Sequence, residues 1–417
     1  MKKHTQYILL YLCCISSILS AQNGSSLEDY LEQALTANTE IRKSQLAVEA
    51  AALDARMSRA LPDPSFMIEG RGVPLEISRF GETREWMFML EQMFPAPGSL
   101  KHLEQKAQFA TDIQEALLRA VKNDITRQVK VIFYQLGYLD VALKSNADQL
   151  ALLAEFEKIA RSKYTVGRTG QQDLLQIEME QARLLTARLK LEENLATETA
   201  EMNRILRRPL NETITTASLQ LPAALYTASQ LASIQEQFNP SLIIARLLLA
   251  VAENDGELAR ASKRPAFKVM GGYMVMNEME NTLMGRVGMT LPFMPWSSIK
   301  SRAAYEKSQV VKNKTEIEYQ TLKDQLAVQL LAAVQDLSTL YNQIELYDQR
   351  IIPASEQTVS LSMAGYQADS VDFFSLIQYA REHLNNELLR DELVAMYWQK
   401  RAQLEYIVGT SLDEVTK

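Results

Sequence analysis

The sequence predicts a mixed α/β membrane protein in which a few short strands cross the bilayer and very long helices carry the rest of the chain. Three observations predict it. The chain repeats itself, it alternates apolar and polar residues over four short stretches, and elsewhere it keeps a narrow apolar seam at helical spacing.

The repeat comes first because it sets the frame. "NTEIRKSQLAVEAAALDARMSRALPDPSF" (38–66) parallels "NPSLIIARLLLAVAENDGELARASKRPAF" (239–267). "MFPAPGSLK" (93–101) parallels "LPFMPWSSIK" (291–300), with Phe94 matching Phe293 and Lys101 matching Lys300. "SKYTVGRTGQQDLLQ" (162–176) parallels "AGYQADSVDFFSL" (364–376), with Asp173 matching Asp372. The chain therefore divides into a leader at 1–21, a first repeat at 22–220 and a second at 221–417. Each repeat reads helix, β-hairpin, two long helices, with the hairpins near 64–95 and 265–293.

The leader has a basic start at Lys2 and Lys3, an apolar run from Tyr7 to Leu19, and small residues at Ser20–Ala21. That pattern is a cleaved secretory signal peptide, since the run is short for a bilayer span. Both cysteines, Cys13 and Cys14, fall inside it, so the exported chain has no disulfide and no thiolate metal site.

The opening helix is expected over 26–60, begun by the serines and acidic turn of "SSLEDYLEQAL" and ended by "LPDP". Long helices are expected at 99–164, 171–206, 298–364 and 370–407. In the third of these, Leu330, Val334, Leu337, Tyr341 and Ile344 recur at spacings of three and four, with Ile351 one heptad further on, a coiled-coil seam. Pro353 is expected to kink that helix.

The four alternating stretches are "SFMIEGRG", "WMFMLEQMF", "FKVMGGYMVM" and "MGRVGMTLPF". Each has one apolar face with aromatics near its ends, the pattern of outer-membrane β-barrel strands of about 9–11 residues. A four-stranded sheet on a soluble core has the same alternation. Four strands do not close a barrel, and an unpaired edge in lipid costs several kcal/mol per backbone group, so copies must pool their strands. Met87, Met89, Met93, Met270, Met274 and Met276 lie on the non-aromatic face, expected to line the lumen. Thioethers there suit soft ions, but pliable apolar filling is the reading taken, since tight binding would slow passage through a conduit.

Function classes are narrowed by absence of motif. A net charge of -7 without a basic stripe gives no nucleic-acid footprint. Beyond the leader there are two histidines, His102 and His383, and no nucleophile, nucleotide-loop or metal-ligand pattern, so no enzyme and no cofactor are expected.

In their order and spacing, "SLEDYLEQALTANTEIR", "ALPDP", the paired strand-to-helix turns, "YTVGRTGQQDLLQIEMEQARL" and "GYQADSVDFFSLIQYAREHLN" resemble the TolC-type outer-membrane efflux factors across nearly all of the chain. "LPDPSFMIEG" and "LEQMFPAPGSLK" are most similar to the branch serving heavy-metal pumps. The resemblance implies a homotrimer: a twelve-stranded barrel in outer-membrane lipid and a helical tunnel in the periplasm. It also implies docking onto a periplasmic adaptor and an inner-membrane efflux pump. It places an aperture ring at Asp372, with Ser375 where the family has a second acidic residue, and leaves Asp173 as a helix cap. Adaptor docking falls on the tips: Val166, Gly167, Arg168 and Thr169 in the first repeat, Ala368, Asp369 and Ser370 in the second. A duct for secreted proteins and a soluble coiled-coil scaffold are the alternatives.

Overall fold

The computed structural model describes residues 26–167, 170–216, 220–221, 226–277, 279–368 and 370–415. The expected leader, with Cys13 and Cys14, lies outside them, as do Arg168, Thr169 and Asp369 of the expected tips.

The elements run α1 (Leu27–Ala37), α2 (Thr39–Met57), β1 (Ser65–Arg71), β2 (Glu85–Phe94), α3 (Ser99–Thr165) and α4 (Gln171–Leu206). The pattern then recurs with α5 (Ala228–Phe238), α6 (Pro240–Ala261), β3 (Phe267–Met276), β4 (Thr282–Met289) and α7 (Pro295–Leu346). After a π-helical turn at Tyr347–Ile351 come α8 (Ile352–Gln367), α9 (Phe373–Val408) and α10 (Leu412–Val415). By contacts the chain forms two compact units, and each draws on both halves of the sequence. One contains the described residues up to Arg42, Val121–Asn239 and everything from Leu326; the other contains Lys43–Ala120 and Pro240–Gln325.

The first unit is helical. The expected single opening helix is instead two, because Asn38 leaves the helix with extended backbone. Its side chain explains the break: Asn38 Nδ2 donates to Ile205 O, and its Oδ1 accepts from Glu40 N as the cap of α2. Asn239 does the same between α5 and α6, donating to Ile407 O at 2.8 Å. At the start of α1, Ser26 and Asp29 form a reciprocal capping box.

Leu330, Leu337 and Ile344 of the predicted seam are buried in one core with Leu231, Val394, Tyr397, Leu404 and Val408. Val334 and Tyr341 pack on it. Ile351 does not belong to it and is exposed. The reason is the π-helical turn at Tyr347–Ile351, whose wider turn carries an extra residue and rotates the next side chains off the seam. The π-helical turn, closed by Ile352 N–H donating to Tyr347 O, lies directly before Pro353, and the backbone at Ile351 and Ile352 stays helical.

Gly409 closes α9 with φ 94°. A Cβ there would lie 2.5 Å from Phe238 O and 2.7 Å from Asn239 Cα. Gly167, at the turn after α3, also has positive φ, 72°, but a Cβ there meets nothing within 4 Å. Gly409→Ala is therefore expected to destabilise the protein well beyond Gly167→Ala, which bears only the left-handed backbone cost of about 1 kcal/mol. Thermal unfolding of the two variants in parallel checks the order.

The second unit holds a four-stranded antiparallel sheet in the order β1-β2-β3-β4. Its middle pairing, β2 with β3, runs from Glu85↔Met276 to Phe94↔Phe267 and joins the two halves of the sequence. The strands are 7, 10, 10 and 8 residues long. At the turn into α3, Gly98 has φ 91°, and Arg264 Nη1 donates to Pro97 O. At the turn into α7, Ser297 Oγ donates to Leu291 O, and Pro295 is the first helical residue. Among the described residues no helix is long and apolar enough to cross a membrane.

Candidate functional site

Two regions carry chemistry: the sheet in one unit and the helix turns in the other. In the sheet, registers assign each residue to a face. Phe66, Ile68, Phe88, Leu90, Phe94, Phe267, Val269, Tyr273, Leu283 and Val287 share one face, and all are exposed. Gln92 is the polar exception, and its amide donates to Pro62 O and Met93 O near the strand end. Aromatics mark both ends: Trp86 meets Phe80 at the loop end, the rings tilted at 56° with centroids 5.2 Å apart, and Phe94 pairs with Phe267 at the helix end. A broad bare apolar face bounded by rings fits hydrocarbon between two interfaces.

Met87, Met89, Met93, Met270, Met274 and Met276 do share the other face, as the alternation predicts. Register adds Met284, opposite Gly272, and sets Met67, which the alternation of the first stretch already puts on this face, opposite Met89. The charged residues of this face are partly paired, Glu69 with Arg71 and Glu91 with Lys268, each at 2.9 Å.

At the helix turns, Asp372 is the N-cap of α9. Its Oδ1 accepts from Ser375 N at 2.9 Å and its Oδ2 from Ser375 Oγ at 2.7 Å, so Ser375 is bound to Asp372 and not an independent polar group. Those bonds, the backbone one foremost, hold the Asp372 carboxyl below the ordinary aspartate value. Asp173 departs from expectation. Gly170 is the N-cap of α4, and Asp173 stands inside the helix at its third position, as first-turn acidic charge on the helix dipole. The difference lies in the loops, since the first turn supplies a glycine in extended conformation where the second supplies the aspartate itself.

Asp372→Ala should fray the first turn of α9 at a cost of about 1 kcal/mol, and Asp173→Ala should disturb the start of α4 less, since Gly170 is the N-cap there. Because the folded value is lowered, the cap's contribution is complete at neutral pH. It is lost as pH falls below the ordinary aspartate range and through the depressed folded value. Amide exchange at Phe373–Leu376 reads both effects.

Of the expected tips, Val166 is exposed and Gly167 N–H donates to Tyr164 O. Ala368 ends α8, and Ser370 donates through both N and Oγ to Gly365 O. Sequence reasoning missed two residues. Gly365 is needed for space, as a Cβ there would lie 2.5 Å from Val371 Cγ2. Lys163, at the end of α3, donates to Tyr366 O and stands 4.0 Å over the Tyr366 ring, which in turn packs on Phe373. The partners are 203 residues apart, and no local pattern announces them.

Paired hairpins in one sheet, with 67- and 52-residue helices leaving it, define the TolC-like fold of outer-membrane efflux channels. Among solved structures, CusC, described with the conformational changes accompanying folding and transmembrane channel formation, matches at TM-score 0.77 and 18% identity over 93% of both chains. The outer membrane protein VceC from Vibrio cholerae matches at 0.77 and 13% identity, over 92% of this chain and 96% of its own. The MtrE outer membrane channel of Neisseria gonorrhoeae, solved in its open state, matches at 0.76 and 15% identity, over 93% and 89%. No family model matches the chain, and no curated protein does.

Proposed function

We propose that this protein is the outer-membrane exit duct of a tripartite efflux system, a passive conduit for small molecules or metal ions delivered by an inner-membrane pump through a periplasmic adaptor. The observation that carries it is the sheet. Its two outer strands, β1 and β4, each pair on one side only among the described residues, while one face, apolar but for Gln92, is largely exposed. In water that face would aggregate, and in lipid the open edges would be intolerable. Three copies answer both demands by pooling twelve strands into a closed barrel with the apolar face outward.

The helices then extend into the periplasm as a tunnel. Asp372 lies at its aperture, where three copies form a ring of carboxylates that favours cations. Val166, Gly167, Arg168 and Thr169, with Ala368, Asp369 and Ser370, form the adaptor-docking tips. The shared fold with outer membrane channels supports this reading.

Cell fractionation tests it. The protein should partition with outer membranes and run as a trimer that dissociates on heating. A water-soluble monomer of the exported chain would overturn the proposal.

A further inference from the structure

We propose that the methionine face of the sheet is a binding site for soft monovalent cations of the Cu(I) or Ag(I) class, centred on Gly272. That such ions meet the site in transit rests on the duct reading above; the binding itself does not.

The composition of the face is the first support. Beside its methionines it carries Ser, Thr, Gly, Glu, Lys and Arg. Every apolar side chain on it is a methionine. The opposite face of the same strands meets its need for apolar surface with Phe, Ile, Trp, Leu, Val and Tyr, and includes one methionine, Met289. Filling alone does not produce that division. A thioether differs from the isosteric leucine chiefly in its polarizable sulfur, which is a ligand for soft metals.

Arrangement is the second support. Met89 and Met284 stand opposite Gly272 on its two neighbouring strands, and Met270 and Met274 flank it along its own. Opposite residues have Cβ atoms about 4.5–5.5 Å apart, and same-face neighbours along a strand are roughly 7 Å apart. Four flexible side chains are therefore rooted within reach of one residue that has none. Met67, opposite Met89, and Met87, opposite Met274, form an outer tier.

Gly272 is not required by backbone geometry, for it is absent from the positive-φ glycines of the chain. It is required by space. A Cβ there would fall 2.9 Å from Met89 Cγ and 3.0 Å from Phe88 O, whereas Gly271, Gly285 and Gly288 have nothing within 4 Å of theirs. Met89 thus leans across the vacant position. It is 6% exposed and Met87 is 1%, so these side chains are gathered in, not spread in solvent.

The surrounding charges do not gather into a hard-ion site. Glu69 is engaged by Arg71 and Glu91 by Lys268, Arg286 stands opposite Met270, and Glu85, opposite Met276, is a single carboxylate at the loop end of the face. Among the described residues no group of three or more His, Cys, Asp or Glu side chains could hold a metal. What the face offers around Gly272 is neutral thioether. Such a site binds a soft ion without a strong field, and so releases it, as a conduit demands.

The test uses the full-length protein assembled in detergent, with Cys13→Ala and Cys14→Ala throughout so that thioether is its one form of sulfur. Silver(I) perchlorate in chloride-free buffer is the probe, and bound metal is measured by equilibrium dialysis. A ring variant carries Met89→Leu, Met274→Leu and Met284→Leu; a control carries Met93→Leu and Met276→Leu. The parent should bind silver, the ring variant at least tenfold more weakly, and the control within about twofold of the parent. No binding by the parent, or equal loss in ring and control variants, overturns the proposal. Should the ring variant fail to assemble, silver-edge X-ray absorption of the parent decides, where a sulfur shell supports the site and an oxygen or nitrogen shell overturns it. Conductance separates this from the duct reading. Silver bound at the ring with no channel in planar bilayers would uphold the site and sink the duct, and conduction without silver binding would do the reverse.

Discussion

Arginine in place of Phe88 should abolish assembly, while arginine in place of Met276 should not. Phe88 sits in the middle of the exposed apolar face, opposite Ile68 and Tyr273. If that face meets lipid, an arginine near the midplane costs about 2–4 kcal/mol per copy, and a trimer bears it three times. Met276 lies on the other face, opposite Glu85, where a guanidinium has water and a carboxylate within reach. The yield of heat-sensitive trimer in outer membranes measures both. Equal assembly of the two variants would mean that the faces have been assigned the wrong way round.

The other large effect is expected in the helical unit. Lys130 Nζ lies 2.5 Å from Glu405 Oε2, and their side chains are 11% and 8% exposed. Glu405 also accepts from Leu412 N, and Arg401 approaches it at 3.8 Å while binding Asp413. Glu405→Leu leaves Lys130 buried without its partner and should cost about 3–5 kcal/mol. Lys130→Met leaves the carboxylate with Arg401 and should cost less. The double variant should recover much of the loss, because well-packed apolar residues often replace a buried pair without penalty. Denaturant unfolding of the four proteins closes the cycle, and additivity of the two single losses would show that the pair is not coupled.

Much of this fold was legible because its signals are local and periodic. α4 falls at Gln171–Leu206 and α3 ends within a residue of expectation, since long amphipathic runs bounded by Gly and Pro leave little choice of boundary. The strand faces were legible for the same reason, period two being fixed by the pleat. Asn38 and Asn239 were not, because each breaks a helix to reach a carbonyl some 167 residues away, a distance no window spans. Ile351 failed because one extra residue in a helical turn is invisible to a count of threes and fours. The helix turns were half legible. Asp372 and Asp173 match in the repeat, yet Asp372 is itself an N-cap while Asp173 stands at the third helical position behind Gly170, a difference the matching aspartates do not announce.

The even number of strands has a consequence of its own. With antiparallel pairing throughout β1-β2-β3-β4, the first and last strands of a copy run in opposite directions. When copies join end to end around a ring, each seam therefore matches antiparallel, like the pairings inside a copy. A chain with three or five such strands would have put a parallel mismatch at every junction. Parity thus makes the junction between copies interchangeable with the junctions within one, whatever the number of copies. How many close the circle is left to the curvature of the sheet.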